Sequence, residues 1–141
     1  MRILGIDYGQ KRVGLALSDE TAMLAQPLGY VPGGTDDQVC QAVLELVQRR
    51  QAGQIVVGVP LQLDGRSSPQ THRTRRFITA LQQVSPVPVV CWDERLTTAQ
   101  AERVLIEGGV RRRERREKID QLAAQLMLQS YLDAKAEIRD G

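Results

Sequence analysis

The chain has 141 residues, 42% of them apolar, enough for one buried core and too many for a disordered tail. Aromatic residues are only 4%, which argues against a platform of stacked rings for single-stranded nucleic acid. The net charge is only +2, yet sixteen of the nineteen basic residues are Arg, the type suited to bidentate grip on phosphates.

Arg2 to Asp7 reads RILGID, a short apolar strand that ends in a carboxylate, followed by a turn at Tyr8-Gly9-Gln10-Lys11. Arg12 to Ser18 alternates Val13, Leu15 and Leu17 in strand period. A third strand is expected over Ala22 to Val31, at a sheet edge because Pro27 cannot donate to a ladder. Short turns join these three segments, so they read as an antiparallel meander. Thr35 and Gln38 form a capping box that starts a helix, with Val39, Val43, Leu46 and Val47 as its buried stripe and Gly53 as its end. Gln54 to Val59 is a continuous apolar strand of the kind buried on both faces.

Ser68-Pro69 is a cap followed by an N1 proline, opening a helix to about Val84 with Phe77, Ile78, Leu81 and Val84 inward. Val87 to Trp92 reads as another buried strand, ending at Asp93 and Glu94. Thr97 with Gln100 suggests a further helix that ends near Gly108. Arg111 to Arg116 is expected as a charged loop before a last helix over about Glu117 to Ala136, with Ile119, Leu122, Ala123, Leu126 and Met127 on one face. Strand and helix alternate in the second half, which implies a parallel portion with crossovers. The fold class is α/β: a mixed five-stranded sheet, three antiparallel strands then parallel ones, with helices on both faces.

Cys40 and Cys91 lack CxxC partners and His72 is the lone histidine, so zinc is disfavoured and both cysteines are expected to be buried, reduced thiols. No signal-like start and no apolar run of spanning length is present, which points to a soluble cytoplasmic protein without membrane contact.

Three acids stand out. Asp7 and Glu94 close two strands, and ligands in open α/β sheets gather outside the carboxyl ends of strands. Asp120 is expected in the first turn of the last helix, where the helix dipole alone would favour an acid. Asp7 alone could cap a turn, and Glu94 alone could pair with Arg95. Together, three hard oxygen ligands without His or Cys suit Mg²⁺ or Mn²⁺. Two such ions about 3.5–4 Å apart can clamp a phosphodiester through hydrolysis. No Ser-His-Asp or G-x-S-x-G nucleophile competes.

The blocks GIDYGQKRVGLALSD from Gly5, VVGVPLQLDGRSSPQTHRTRRF from Val56, VVCWDERLTTAQAERVL from Val89 and KIDQLAAQLMLQSYLD from Lys118 span nearly the whole chain. In this order they resemble the YqgF/RuvX family of ribonuclease H-like proteins, described as Holliday junction resolvases and as nucleases maturing the 5′ end of pre-16S ribosomal RNA. The resemblance implies one ribonuclease H-like nuclease domain over 1–141, with Asp7, Glu94 and Asp120 as catalytic, metal-binding acids. It puts Gly9, Lys11 and Arg12 in the first active-site loop and Pro60, Asp64, Gly65 and Ser67 in the loop after the fourth strand. Asp93, Arg95 and Thr97 become supporting or substrate-contact positions.

Arg111, Arg112, Arg113, Arg115 and Arg116 precede the Asp120 helix and are expected to touch phosphates near the cut, although charge runs are usually just solvated. His72, Arg73, Arg75 and Arg76 could present a nucleic-acid face or a plain solvated exterior, and His72 is expected to be exposed. The partner is nucleic acid, either precursor rRNA or branched DNA, and the protein a monomer or weak homodimer. Two other classes fit less well. Actin-like phosphotransfer shares the Asp7-Tyr8-Gly9 turn but needs a duplicated domain. A non-catalytic binding module would set acids against phosphates without metal to offset the repulsion.

Overall fold

A three-residue turn and a six-residue connection join the first three strands, β1 (Arg2–Tyr8), β2 (Arg12–Ser18) and β3 (Ala25–Pro32). The computed structural model describes residues 1–62, 64–93 and 112–140, with side chains over 1–62, 64–93 and 122–136. The meander is followed by α1 (Asp36–Arg50), β4 (Ala52–Val59), α2 (Pro69–Val84) and β5 (Val89–Asp93). The last element is α3 (Arg112–Asp140). The five strands form one sheet in the order β3-β2-β1-β4-β5. β1 and β2, and β2 and β3, pair antiparallel, whereas β1 with β4 and β4 with β5 pair parallel. Pro27 lies on β3, at one edge, as its missing N–H requires.

Each face of the sheet has its own core. On one face Leu4, Ile6, Val13, Leu15, Ile55, Val57 and Val59 pack with Val39, Val43 and Val47 of α1 and Phe77, Ile78 and Leu81 of α2. On the other, Ile3, Ala16, Ala25 and Val56 pack with Ala124, Met127, Leu128, Tyr131 and Leu132 of α3. Strand alternation makes this division: successive residues of β1 serve opposite faces. Small residues let α3 sit close to the sheet at Gly5 and Ala16, and a Cβ on Gly5 would come within 2.9 Å of the Leu128 Cβ. Glutamines of α3 also hold the edge strand, since the Ala25 N–H donates to Gln129 Oε1 (2.9 Å) and Gln125 Nε2 to the Ala25 carbonyl (3.1 Å).

Both helix starts follow the capping pattern in the sequence, with reciprocal boxes at Thr35/Gln38 and Ser68/Thr71. Several expectations need correction. The third strand begins at Ala25 rather than Ala22, because the Asp19 carboxylate accepts the N–H groups of Thr21, Met23 and Leu24 and holds those residues in a turn. α1 ends at a left-handed Gln51 (φ 55°), and Gly53 is already inside β4. Val84 is 56% exposed at the end of α2. β5 begins at Val89, is an edge strand and is only half-buried, so Cys91 is exposed while Cys40 is buried.

The largest difference concerns the arginine run. From Arg112 it is helical and belongs to α3, so it is no loop. Arg, Glu and Lys are strong helix formers, and Glu114 and Lys118 stand at the supporting i, i+4 spacing. Asp120 therefore lies two turns inside its helix, beyond reach of a first-turn dipole effect. The helix expected over Thr97 to Gly108 lies outside the described residues. Among the described residues, no helix is long and apolar enough to cross a membrane.

Candidate active site

Asp7 is the penultimate residue of β1, the central strand, and its side chain is half-buried. Ile3 and Gly5 face α3, so strand alternation turns Asp7 to that same side. Its cross-strand neighbours are informative. Asp7 pairs with Gly14 of β2, and Gly14 pairs with Tyr30 of β3. On the other side Ile6 pairs with Val57, so the next residue, Gly58, comes beside Asp7, and Gly58 pairs with Trp92 of β5. A row Tyr30, Gly14, Asp7, Gly58, Trp92 thus crosses the sheet, with a glycine on each side of the carboxylate. Side chains on adjacent strands stand roughly 5 Å apart, so any larger residue at Gly14 or Gly58 would crowd the Asp7 oxygens. A glycine isolated within an apolar strand is the sequence signal for such close approach, and it is the one cue that Gly14 and Gly58 offer.

α3 runs against β1 on this face. Tyr131 and Leu132 lie near Met1 and Ile3 in a shared cleft, and Leu128 meets Gly5. The helix therefore advances toward the Asp7 end of β1 as its residue numbers fall. Asp120 precedes Ala124 by one turn and Leu128 by two, on a segment whose backbone is helical. Its side chain lies outside those described. Glu94, Arg95, Thr97 and Arg111 lie outside the described residues, and so do the side chains of Arg112, Arg113, Arg115 and Arg116. Glu94 follows Asp93, the last residue of β5, whose strand neighbours β4 at the same rim. Among the described residues no three His, Cys, Asp or Glu side chains gather at metal-binding distance.

The remaining positions take varied roles. Lys11 is exposed in the β1–β2 turn. Arg12 is half-buried with its guanidinium 5.9 Å from the Tyr30 ring centre, a cation–π contact that orients it on the Asp7 face. In the loop after β4, Gly65 adopts φ 86°, and Asp64 pairs with Arg66 at 3.3 Å. Thr71 donates its hydroxyl to the Pro60 carbonyl, tying this loop to α2.

Tyr8, next to Asp7, faces the opposite core and anchors the end of β1. Its ring stacks on Phe77 at 4.4 Å, and its hydroxyl donates to Asp36 Oδ1 at 2.8 Å. Burial, with that bond to Asp36, pushes the Tyr8 pKa up to about 12, so the phenol stays a donor at neutral pH. Gln70 Nε2 donates to the Tyr8 carbonyl at 2.7 Å, a second anchor from α2. Neither anchor was legible in the sequence, because both join elements far apart in the chain.

The family model for RuvX, described as Holliday junction resolvase, matches residues 1–134. A protein of Halothermothrix orenii assigned as a pre-16S rRNA nuclease is 42% identical over 133 residues, covering 94% of this chain and 95% of its own. One from Syntrophus aciditrophicus with the same assignment is 46% identical over 134 residues, covering 95% and 89%. Among solved structures, Thermus thermophilus RuvC in complex with Holliday junction substrate aligns with a TM-score of 0.57 and 20% identity, over 96% of each chain. That last likeness is one of fold, a ribonuclease H-like mixed sheet with helices on both faces.

Proposed function

Because the chain belongs to the RuvX family, we propose that it is a metal-dependent nuclease that matures the 5′ end of pre-16S ribosomal RNA in the cytoplasm. It acts as a single ribonuclease H-like domain over residues 1–141 and hydrolyses phosphodiester bonds. Asp7, Glu94 and Asp120 are its catalytic acids. The observation that carries this reading is the setting of Asp7: a half-buried carboxylate at the rim of the central strand, glycine on either side, facing the helix that bears Asp120.

Backbone geometry supports a meeting of the three acids. Gly5 to Asp7 advances about 7 Å along the strand, and Leu128 to Asp120 about 12 Å along an opposed helix. Asp120 thus belongs at the level of Asp7 or just past it, on the stripe Leu128, Ala124, Asp120. Glu94 enters from β5, two strands or about 10 Å from β1. Carboxylate side chains reaching inward from both strands would narrow that gap to the few ångströms that ligands of one divalent ion span.

The donor set fits magnesium or manganese: hard carboxylate oxygens, with glycines rather than larger side chains beside Asp7 on the two neighbouring strands. Two such ions, when bound, supply charge for both the attacking and leaving oxygens of the phosphodiester. Asp7, Glu94 and Asp120 would hold them. Lys11, Arg12, Arg95, Thr97 and the run Arg111, Arg112, Arg113, Arg115 and Arg116 contact phosphates or sugars around the cut. These contacts fix register and carry little sequence information. The glycines on either side of Asp7 leave the carboxylate room to meet the backbone of a substrate strand.

The description of the matching family favours a second reading, resolution of four-way DNA junctions. A symmetric junction calls for a two-fold dimer with paired sites, whereas rRNA maturation needs only a monomer or weak homodimer. Side-by-side assays on a 5′-extended 16S precursor and a four-way junction decide between the two. Asp7→Asn is expected to abolish magnesium-dependent cleavage of the precursor while leaving RNA binding in place. Undiminished cleavage by that variant removes Asp7 from the chemistry.

A further inference from the structure

Arg73 and Arg76 line a cleft of about 350 Å³ with Tyr8, Gln10, Gly34, Thr35 and Asp36. It lies on the sheet face opposite Asp7, at the same end of β1. His72 and Arg75, on the same helix, do not line it and are exposed. The basic cluster of α2 therefore splits into two cleft arginines and a solvated pair.

The half-buried Arg73 is held in place. Its Nε and Nη2 donate to Gln70 Oε1 at 3.1 and 2.8 Å, and Gln70 Nε2 donates to the Tyr8 carbonyl at 2.7 Å. One glutamine thus ties the guanidinium to the residue after Asp7. A guanidinium has five donors, so Arg73 keeps several for a ligand. Among the described residues neither Arg73 nor Arg76 has a carboxylate within ion-pair distance. Among the described residues Asp36 is the only acid in the lining, and it already accepts from the Tyr8 hydroxyl. The lining therefore keeps a net positive charge.

We propose that this cleft is a phosphate-binding subsite for the nucleic-acid strand as it leaves the cut, with Arg73 and Arg76 as the binding groups and Gln70 as a positioning residue. The inference rests on the nuclease reading and deepens it. A strand lying across the rim of β1 meets Asp7 on one face and these arginines on the other. A guanidinium fixed in advance loses less entropy when it pairs with a phosphate, and Arg offers the bidentate geometry for it.

The test is the salt dependence of binding a catalytically silent 5′-extended 16S precursor fragment, in chelator, by wild type and single variants. Each phosphate contact contributes about 0.7 to the slope of log K against log salt for a single strand. Arg73→Gln and Arg76→Gln should each lower the slope by about that much, Arg73→Lys should restore most of it, and Arg75→Gln should leave it unchanged. Asp36→Asn should tighten binding. Gln70→Ala should weaken binding in wild type but not in the Arg73→Gln background, a coupling that general loss of structure would not produce. Wild-type binding with unchanged slopes in Arg73→Gln and Arg76→Gln overturns the subsite alone, as does an equal loss in Arg75→Gln. Wild type that fails to bind the fragment overturns both the subsite and the reading beneath it.

Discussion

Gly5→Ala tests how closely α3 must sit on the sheet. The added methyl would lie 2.9 Å from Leu128 Cβ and 3.3 Å from its Cδ2. Carbon atoms rest at about 3.5–4.0 Å, so the helix would have to lift by roughly 0.5–1 Å. The Cβ cannot swing aside as a side-chain tip could. Overpacking of this kind costs about 1–3 kcal/mol. The loss of glycine entropy in the unfolded chain returns about 0.4–1 kcal/mol. The net is a destabilisation of roughly 1–2 kcal/mol, or about 3–8 °C in Tm for a domain this size. In the proposed centre the same lift would carry Asp120 away from Asp7, and a misplacement near 1 Å can cost about 100-fold in rate. Urea unfolding and single-turnover cleavage should show both losses, with KM little changed. In a Leu128→Gly background, where the clashing atoms are gone, Gly5→Ala should cost nothing further. A Gly5→Ala variant as stable and active as wild type would refute the close-packing argument.

Three further outcomes are expected. Tyr8→Phe removes the bond to Asp36 and should cost about 1 kcal/mol at neutral pH, read from urea midpoints. The folded Tyr8 pKa of about 12 exceeds its ordinary value of 10.0. Its contribution is therefore complete below pH 10 and lost as pH rises toward 12, so the wild-type advantage over Tyr8→Phe should shrink across that window. Among the described residues the buried Thr74 hydroxyl has no hydrogen-bond partner, so Thr74→Val should raise stability by about 1 kcal/mol in thermal melts. Gln51→Gly should stabilise by up to about 1 kcal/mol, because the C-cap of α1 is left-handed and glycine has no Cβ to strain there; a lower denaturation midpoint would contradict this.

The antiparallel meander, the parallel continuation and both caps were legible because they rest on short turns, on the alternation of strand and helix, and on local chemistry. Thr35 with Gln38, Ser68 with Pro69, and Pro27 at an edge each constrain their own few residues. The errors arise where tertiary contacts decide. Cys91 and Val84 look like core residues by type, yet one sits on an edge strand and the other at a helix end. Arg111 to Arg116 looked like a loop because its charge masked its helix propensity. In the candidate site, Asp7 was legible as the carboxylate closing an apolar strand. Tyr8, Gln70 and the two glycines beside Asp7 were not, since their roles depend on partners from β2, β4, α1 and α2.

The two helical layers also differ in when a growing polypeptide can supply them. α1 and α2 are threaded between strands, so their side of the sheet can close while synthesis continues. The opposite side waits for α3, the final element in chain order. Until that helix emerges, Ile3, Ala16 and Val56 lack their partners Ala124, Met127 and Leu128, and the third acid of the proposed centre has not been delivered. Under the proposed assignment of Asp120, hydrolytic capacity and the α3 side of the core arrive together, in the docking of one helix.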